Sequence, residues 1–337
     1  REGLLNDLSH LAHVCDPDTK VIIIGHVNDV LLYRELVSQG ISEYIVAPVH
    51  QLQVIEILSG MFQDPEASPV GKVLAFVGAK GGVGSSTIAH NIGWMFSKHY
   101  SIDTVITDLD MAFGTAGLNF NQDGGQGIAE ALGSMDRVDQ TMLNRLLTKY
   151  SDRLSLLMAP GSIDREVDIE AEALDTVLNV VRANVPSVIV DVPNIWSAWT
   201  KNVLIQADDV IITATPELAC LRNAKNLIDM LKTARPNDNP PRLIMNQVGV
   251  PKRPEIPVAE FSKALGIEPV IVIPFDPQTF GTASSNGQMI EEVAAKSDAA
   301  AALVSLSQIL QGQEPPPKQK GLAIGSLKQK LATLRKK

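Results

Sequence analysis

Ala79-Lys80-Gly81-Gly82-Val83-Gly84-Ser85-Ser86-Thr87 joins an apolar run, Lys72–Val77, to a helix-like stretch, Ile88–His99. A continuous apolar run wants cover on both faces, so it reads as an inner strand, and the glycine-rich segment after it reads as a tight turn into a helix. The three glycines let that turn curl until successive backbone N–H groups point at one spot, where the helix N-terminus adds its partial positive charge. Such a cradle suits a phosphate chain. The plainer alternative is an ordinary strand-to-helix turn in which Ser85 or Ser86 is the helix N-cap.

A phosphate site of this kind needs carboxylates at the ends of neighbouring strands, one to hold a divalent cation and one to position water. Thr104–Ile106 leads to Asp108-Leu109-Asp110, and Val188–Val190 leads to Asp191-Val192-Pro193. Each acid alone is also what a strand-end turn contains; their joint order and polarity favour the phosphate reading. Further apolar runs at Leu154–Met158, Val210–Ile212, Leu243–Met245 and Val270–Ile273 are mostly separated by helix-like stretches. The pattern predicts one α/β unit over 72–312, a doubly wound, mostly parallel sheet wrapped by helices, with ligands beyond the carboxyl ends of its strands. Asn246-Gln247 and Pro274-Phe275-Asp276 stand at two of those ends. Thr215-Pro216-Glu217 precedes Leu218, Leu221, Ala224, Ile228 and Leu231, whose helical spacing reads as a core stripe.

Outside that unit the chain changes character. In residues 1–62, Leu4–Val14, Asp29–Ser38 and His50–Met61 are helix-like, while Lys20–Ile24 and Tyr44–Val46 are strand-like. This is part of a second α/β domain that the sequence enters in mid-helix. Residues 63–71, with Pro65, Ser68 and Pro69, read as a linker. Residues 313–337 open on Pro315-Pro316-Pro317 and end in Leu327, Leu331 and Leu334 at helical spacing among Lys328, Lys330, Arg335, Lys336 and Lys337. A basic amphipathic segment of this kind suits an anionic membrane surface, an acidic partner, or plain solvation.

Composition narrows the function classes. Twenty-nine basic against 38 acidic residues give −9, and the seven basic residues after Pro317 leave −16 on everything before them. An acidic body argues against nucleic acid as the main partner. Cys15 and Cys220 lack disulfide-framework or metal-ligand spacing, which fits a reducing, cytoplasmic setting. No apolar run approaches the length of a membrane span.

The glycine loop resembles the deviant Walker A motif of the MinD/ParA family, Lys-Gly-Gly-x-Gly-Lys-Thr/Ser. The resemblance puts Lys80 on the signature lysine that reaches a partner's nucleotide across a dimer, and Ser86 on the Mg²⁺-binding hydroxyl. Asp108 and Asp110 fall on the switch I acids, Asp110 orienting the attacking water, and Asp191 on the Walker B aspartate that holds Mg²⁺ through water. Gly81, Gly82, Val83, Gly84, Ser85 and Thr87 complete the phosphate loop, while Asn246, Pro274 and Asp276 fall near the adenine. Two positions depart from the motif: Ala79 replaces its opening glycine, and Ser85 replaces the P-loop lysine. A hydroxyl cannot neutralise phosphate charge, so ATP binding is expected to survive better than hydrolysis.

KGGVGSST, the Asp108–Phe120 stretch and the run from Asp191 to Leu231 further resemble the TadZ/CpaE proteins of type IV (Flp/Tad) pilus assembly. That likeness implies a receiver-like domain over 1–62, with Gly25 and Ala47-Pro48 where receivers carry Ser/Thr and Lys-Pro. It implies ATP or ADP with Mg²⁺ and a homodimer formed on ATP. It also implies partners among the pilus secretion ATPase or inner-membrane platform proteins, and a cytoplasmic, polar, membrane-peripheral location. The competing reading is a partitioning-type ATPase whose ATP dimer binds DNA. Electron-transferring iron proteins of the same fold need cluster-ligating cysteines that this sequence lacks.

Overall fold

The computed structural model describes Leu8, Leu11 and residues 19–49, 51–62, 70–122, 127–133, 138–160 and 169–313. The chain divides into two compact units, Arg1–Ser68 and Pro69–Lys337. Most of the expected Leu4–Val14 helix, Cys15, most of the 63–71 linker and the basic tail lie outside the described residues.

In the first unit β1 (Ile22–Gly25) and β2 (Glu43–Val46) pair in parallel, joined through α1 (Val30–Ser38) and followed by α2 (Gln51–Phe62). Leu32, Leu36, Ile41 and Tyr44 form its buried centre. The Tyr44 hydroxyl donates to the Val27 carbonyl at 2.9 Å, which lays the ring across Gly25. A Cβ at residue 25 would run into that ring. Packing therefore explains why glycine stands there instead of a hydroxyl-bearing residue.

The second unit is built on an eight-stranded sheet in the order β10-β9-β8-β3-β7-β4-β6-β5. Its strands are β3 (Lys72–Gly78), β4 (Thr104–Asp108), β5 (Thr148–Lys149), β6 (Leu154–Leu157), β7 (Ser187–Val192), β8 (Asp209–Ala214), β9 (Arg242–Val248) and β10 (Pro269–Pro274). All neighbours run parallel except the edge pair β5 and β6. The chain runs from β3 out to one edge, returns with β7, then crosses to the far side of β3 for β8 to β10. The carboxyl ends of β3, β7 and β4 thus lie beside the point where the strand order reverses, the usual crevice of such sheets.

Alternate residues on the central strands sort into two cores, as a twofold side-chain period requires. Val73, Ala75, Val77, Val188 and Val190 face one layer, made by α7 (Ala171–Asn184), α8 (Ala198–Gln206), α9 (Leu218–Ala234) and α10 (Val258–Leu265). Leu74, Phe76, Ile106 and Ile189 face the other, where α3 (Ser85–His99) and α13 (Asp298–Leu310) pack. Short helices α4 (Ala116–Asn119), α5 (Gly127–Leu132), α6 (Gln140–Leu146), α11 (Pro277–Asn286) and α12 (Ile290–Ala294) complete the unit. No helix among the described residues is long and apolar enough to cross a membrane.

Three local expectations are corrected. Helix α3 begins at Ser85 instead of Ile88, and its N-cap is Gly84, at φ 89°, with no side-chain cap. Neither Ser85 nor Ser86 caps it, because the left-handed glycine already turns the chain. Leu218 fits the core stripe of α9 by spacing but is 73% exposed, whereas Ala224, Ile228 and Leu231 are buried. It occupies the helix's first position, ahead of where α9 settles on the sheet. Finally, Asp108, Asp191 and Asn246 are strand residues near the carboxyl ends of β4, β7 and β9, not residues of the loops after them.

Helix α3 lies close to the sheet at Gly93, where a Cβ would fall 2.6 Å from Ile106 Cδ1. Ile106 is fully buried and has little room to move. Gly93→Val should overpack this contact and cost about 1–3 kcal/mol, seen as a lower urea midpoint with an unchanged slope.

Candidate functional site

The loop after β3 forms one wall of a cleft of about 620 Å³. Lys80, Gly81, Gly82, Val83, Gly84, Ser85, Ser86 and Thr87 line it, together with Asp110, Asn246, Pro274 and Asp276. Residues from four separated stretches of sequence therefore converge on one opening. Gly82 and Gly84 have φ of 79° and 89°, the left-handed conformation a curled main chain needs here. Neighbouring amides brace the loop. Asn246 Nδ2 donates to the Val83 carbonyl at 2.8 Å and Gln247 Nε2 to the Gly82 carbonyl at 3.1 Å. Asn194 Nδ2 donates to the Gly78 carbonyl and Asn223 Nδ2 to the Ala79 carbonyl. Side-chain amides from other segments thus fix the loop's carbonyls in place.

Among the described residues, Lys80 is the only cation lining the cleft. Its Nζ lies 2.7 Å from Glu217 Oε1, which also accepts from Thr215 Oγ1 at 2.7 Å. That hydrogen bond raises the Lys80 pKa and lowers that of Glu217. Glu217 sits at the N-cap of α9 yet makes no capping bond, its carboxylate being turned to Lys80. Ser85, at the place of the expected second lysine, is buried, and its Oγ has no hydrogen-bond partner among the described residues.

Asp108 and Asp191 are not in the lining, although their chain neighbours Asp110 and Val192 are. They stand opposite each other on the parallel pair β4 and β7, and both are buried. Asp108 Oδ1 accepts the Asp110 N–H and Oδ2 the Ala116 N–H, each at 3.0 Å. Burial pushes the Asp108 carboxyl up to about 6, and the Asp191 charge adds to the rise. Asp110, nearer the opening, accepts the Phe113 N–H. Asp191 Oδ1 is buried without a partner among the described residues. An orphaned carboxylate oxygen beside a second acid is a donor set that fits a hard divalent cation such as Mg²⁺.

Asp276 contributes visibly as the N-cap of α11, its Oδ1 accepting the Thr279 N–H at 3.0 Å. Those bonds to Thr279 hold its pKa below the ordinary carboxylate value. Asn246 likewise spends its NH₂ group on the loop. Sequence reasoning misses two contributors. Glu217 reads there only as part of a helix start. His90, fully buried, faces Asp191 with Nε2 3.4 Å from Oδ2 and meets Asn119 Nδ2 at Nδ1, 2.8 Å away. The available hint is spacing, since His90 follows Ser86 by one helical turn and shares its face of α3.

A glycine loop at the head of a helix, buried acids on adjacent parallel strands and a cleft at the sheet's reversal define a P-loop-type α/β domain. Residues 71–243 match the AAA_31 family, described as an AAA domain, and the chain belongs to that family. The domain is of the MinD/ParA superfamily. Septum site-determining protein MinD of Bacillus subtilis is 24% identical over 185 residues, 53% of this chain and 66% of that protein, just under two thirds of its length. The Synechocystis protein of the same name is 23% identical over 263 residues, 73% of this chain and 91% of that one. Among solved structures, a ParA family ATPase from Chlorobium tepidum is similar at 26% identity and a TM-score of 0.64, covering 72% of this chain and all of that one. MinD from Pyrococcus horikoshii, solved with Mg-ADP, shares the fold at 18% identity and a TM-score of 0.62, over 75% of this chain and 98% of that chain.

With its folded pKa above the unfolded value of 3.8, Asp108 contributes stability that is complete at low pH and is lost as pH rises from about 4 to about 6. Carboxyl ¹³C shifts of the metal-free protein should show one aspartate titrating near pH 6, and Asp108→Asn should remove it.

Proposed function

We propose that the protein is an ATP-binding, dimer-forming positioning factor for a type IV (Flp/Tad) pilus secretion machinery, with slow or partner-dependent hydrolysis. The observation that carries this is the curled glycine loop facing a cleft with Ser85 where a lysine would stand. The loop's N–H groups, from Gly81 to Thr87, would hold the phosphates, and Asn246, Pro274 and Asp276 would border the base. Ser86, Asp108 and Asp191 would hold Mg²⁺, which when bound neutralises phosphate charge. Asp110 would orient water. Lys80, leaving Glu217, would reach the nucleotide of a second copy. Exposed Phe113, Ile195 and Trp196, in the loops after β4 and β7, and Leu218, at the first position of α9, follow the carboxyl ends of β4, β7 and β8 and support pairing there.

Serine at residue 85 leaves the transferring phosphoryl without one cation, so the output of the site is the paired surface more than the product. Residues 1–62, read as a receiver-like module without the phosphorylation residues, and 313–337, read as a membrane- or protein-binding tail, would deliver that surface to its partners. Those partners are the secretion ATPase or the inner-membrane platform, at a cytoplasmic, polar position. Likeness to a ParA family ATPase favours a second reading, a partitioning ATPase whose dimer binds DNA. Salt-dependent DNA binding by protein truncated after residue 313 would select that reading.

Calorimetry should detect ATP and ADP uptake; none at all would remove the proposal. Equilibrium sedimentation should show ATP with Mg²⁺ doubling the mass of wild type and not of Lys80→Ala. Ser85→Lys should accelerate phosphate release by on the order of 10²-fold if the remaining machinery is complete. Cation affinity should rise as pH climbs through about 6, because Asp108 must lose its proton to ligate.

A further inference from the structure

The least explained group in the second unit is His90. It is fully buried, surrounded on α3 by the apolar Ile88, Ala89 and Ile92, and it reaches toward two carboxylates. Its ring, Asp108 and Asp191 bring potential ligand atoms within 4.8 Å of one another. Among the described residues, both the His90 Nε2 and Asp191 Oδ1 are buried without a hydrogen-bond partner, the Nε2 to Oδ2 contact being slack at 3.4 Å. Polar atoms so placed are expensive to leave unpaired.

Two roles are chemically open, direct ligation of a cation by the ring or orientation of an acid that ligates it. The hydrogen bonds decide between them. Asn119 Nδ2 is 2.8 Å from His90 Nδ1 and 3.5 Å from Thr115 Oγ1, so an amide N–H meets the ring at Nδ1. A ring accepting at Nδ1 carries its proton on Nε2. That N–H lies 3.4 Å from Asp191 Oδ2, a contact that a small side-chain shift closes into a hydrogen bond, whereas a bare Nε2 would set two acceptors against each other. A protonated Nε2 cannot ligate. Each Asp108 oxygen accepts one main-chain N–H and keeps a lone pair for a cation, whereas Asp191 Oδ1 has no hydrogen-bond partner among the described residues.

We infer that His90 is a positioning residue, whose Nε2–H fixes Asp191 through Oδ2 and leaves Oδ1 directed to the cation, with Asn119 holding the ring in place. This rests on the nucleotide and Mg²⁺ reading above. The strut ties three elements together. Asn119 ends α4, whose first residue, Ala116, binds Asp108 through its N–H, while His90 belongs to the helix that carries Ser86. Both acids and the Ser86 hydroxyl are thereby referred to one another, in a site that lacks the lysine which would otherwise share the ordering.

The test uses the full chain, the fluorescent nucleotide mant-ADP and Mn²⁺ in place of Mg²⁺. His90→Ala should raise the Mn²⁺ concentration for half-maximal metal-dependent binding about tenfold, the usual scale for losing an outer-sphere partner. Binding of mant-ADP in EDTA should persist, and His90→Gln, which keeps an N–H donor, should recover most of the metal response. Electron–nuclear double resonance on the wild-type Mn²⁺ complex should show no directly bound ring nitrogen. An unchanged metal midpoint in folded His90→Ala overturns the inference, as does a strong ¹⁴N coupling that vanishes in that variant. If His90→Ala does not fold, Asn119→Leu, which loosens the ring without emptying its pocket, must raise the midpoint too, and no change there is equally fatal. Wild type that takes up no mant-ADP defeats the proposed function itself, and is distinguished by failing before any variant is compared.

Discussion

Two carboxylates set side by side on adjacent parallel strands, both withdrawn from water, impose the constraint around which the second unit is organised. Asp108 and Asp191 share a register position on β4 and β7, so neither strand can slip without carrying its acid into the apolar layers. Like charges this close in a poorly polarisable setting repel strongly. The protein answers with main-chain N–H donors to Asp108, an imidazole beside Asp191, and a raised proton affinity at Asp108. Each answer is partial, which is why the arrangement suits a cation.

The glycine loop makes sense against that pair. Its carbonyls are held by Asn194, Asn223, Asn246 and Gln247, four amides from one loop, one helix and one strand far along the chain. The loop's conformation is thus preorganised by a layer of side-chain donors. Preorganised dipoles do not need to reorient when an anion arrives, and this holds whether or not hydrolysis follows. Buried Ser85 brings no charge to this loop, leaving Lys80 as the one cation among the described residues that line the cleft.

Much of this is legible in the residues themselves. The inner strands announce themselves as apolar runs, the loop as glycines between strand and helix, and the acids as carboxylates at strand ends, because all three depend on local chemistry. The features hidden from the sequence depend on contacts between distant segments. His90 stands in an apolar helix stripe and looks like one more core residue; its meaning comes from Asp191 and Asn119, which the topology alone brings to it. The edge strand Thr148–Lys149 has only two residues and no apolar run, so periodicity has nothing to register. Leu218 fits the helical repeat of α9 but comes before the helix meets the sheet, and burial is decided by the neighbour, not the repeat.

The pairing of Lys80 with Glu217 has a consequence for the surroundings in which the protein works. Both side chains are partly open to solvent, 46% and 32% exposed, so mobile ions compete for them. Dilute electrolyte holds the ammonium against α9, while concentrated electrolyte loosens it and leaves that arm at liberty. The ionic milieu therefore acts as a tuning knob on the reach of a single side chain, independently of anything that enters the cleft.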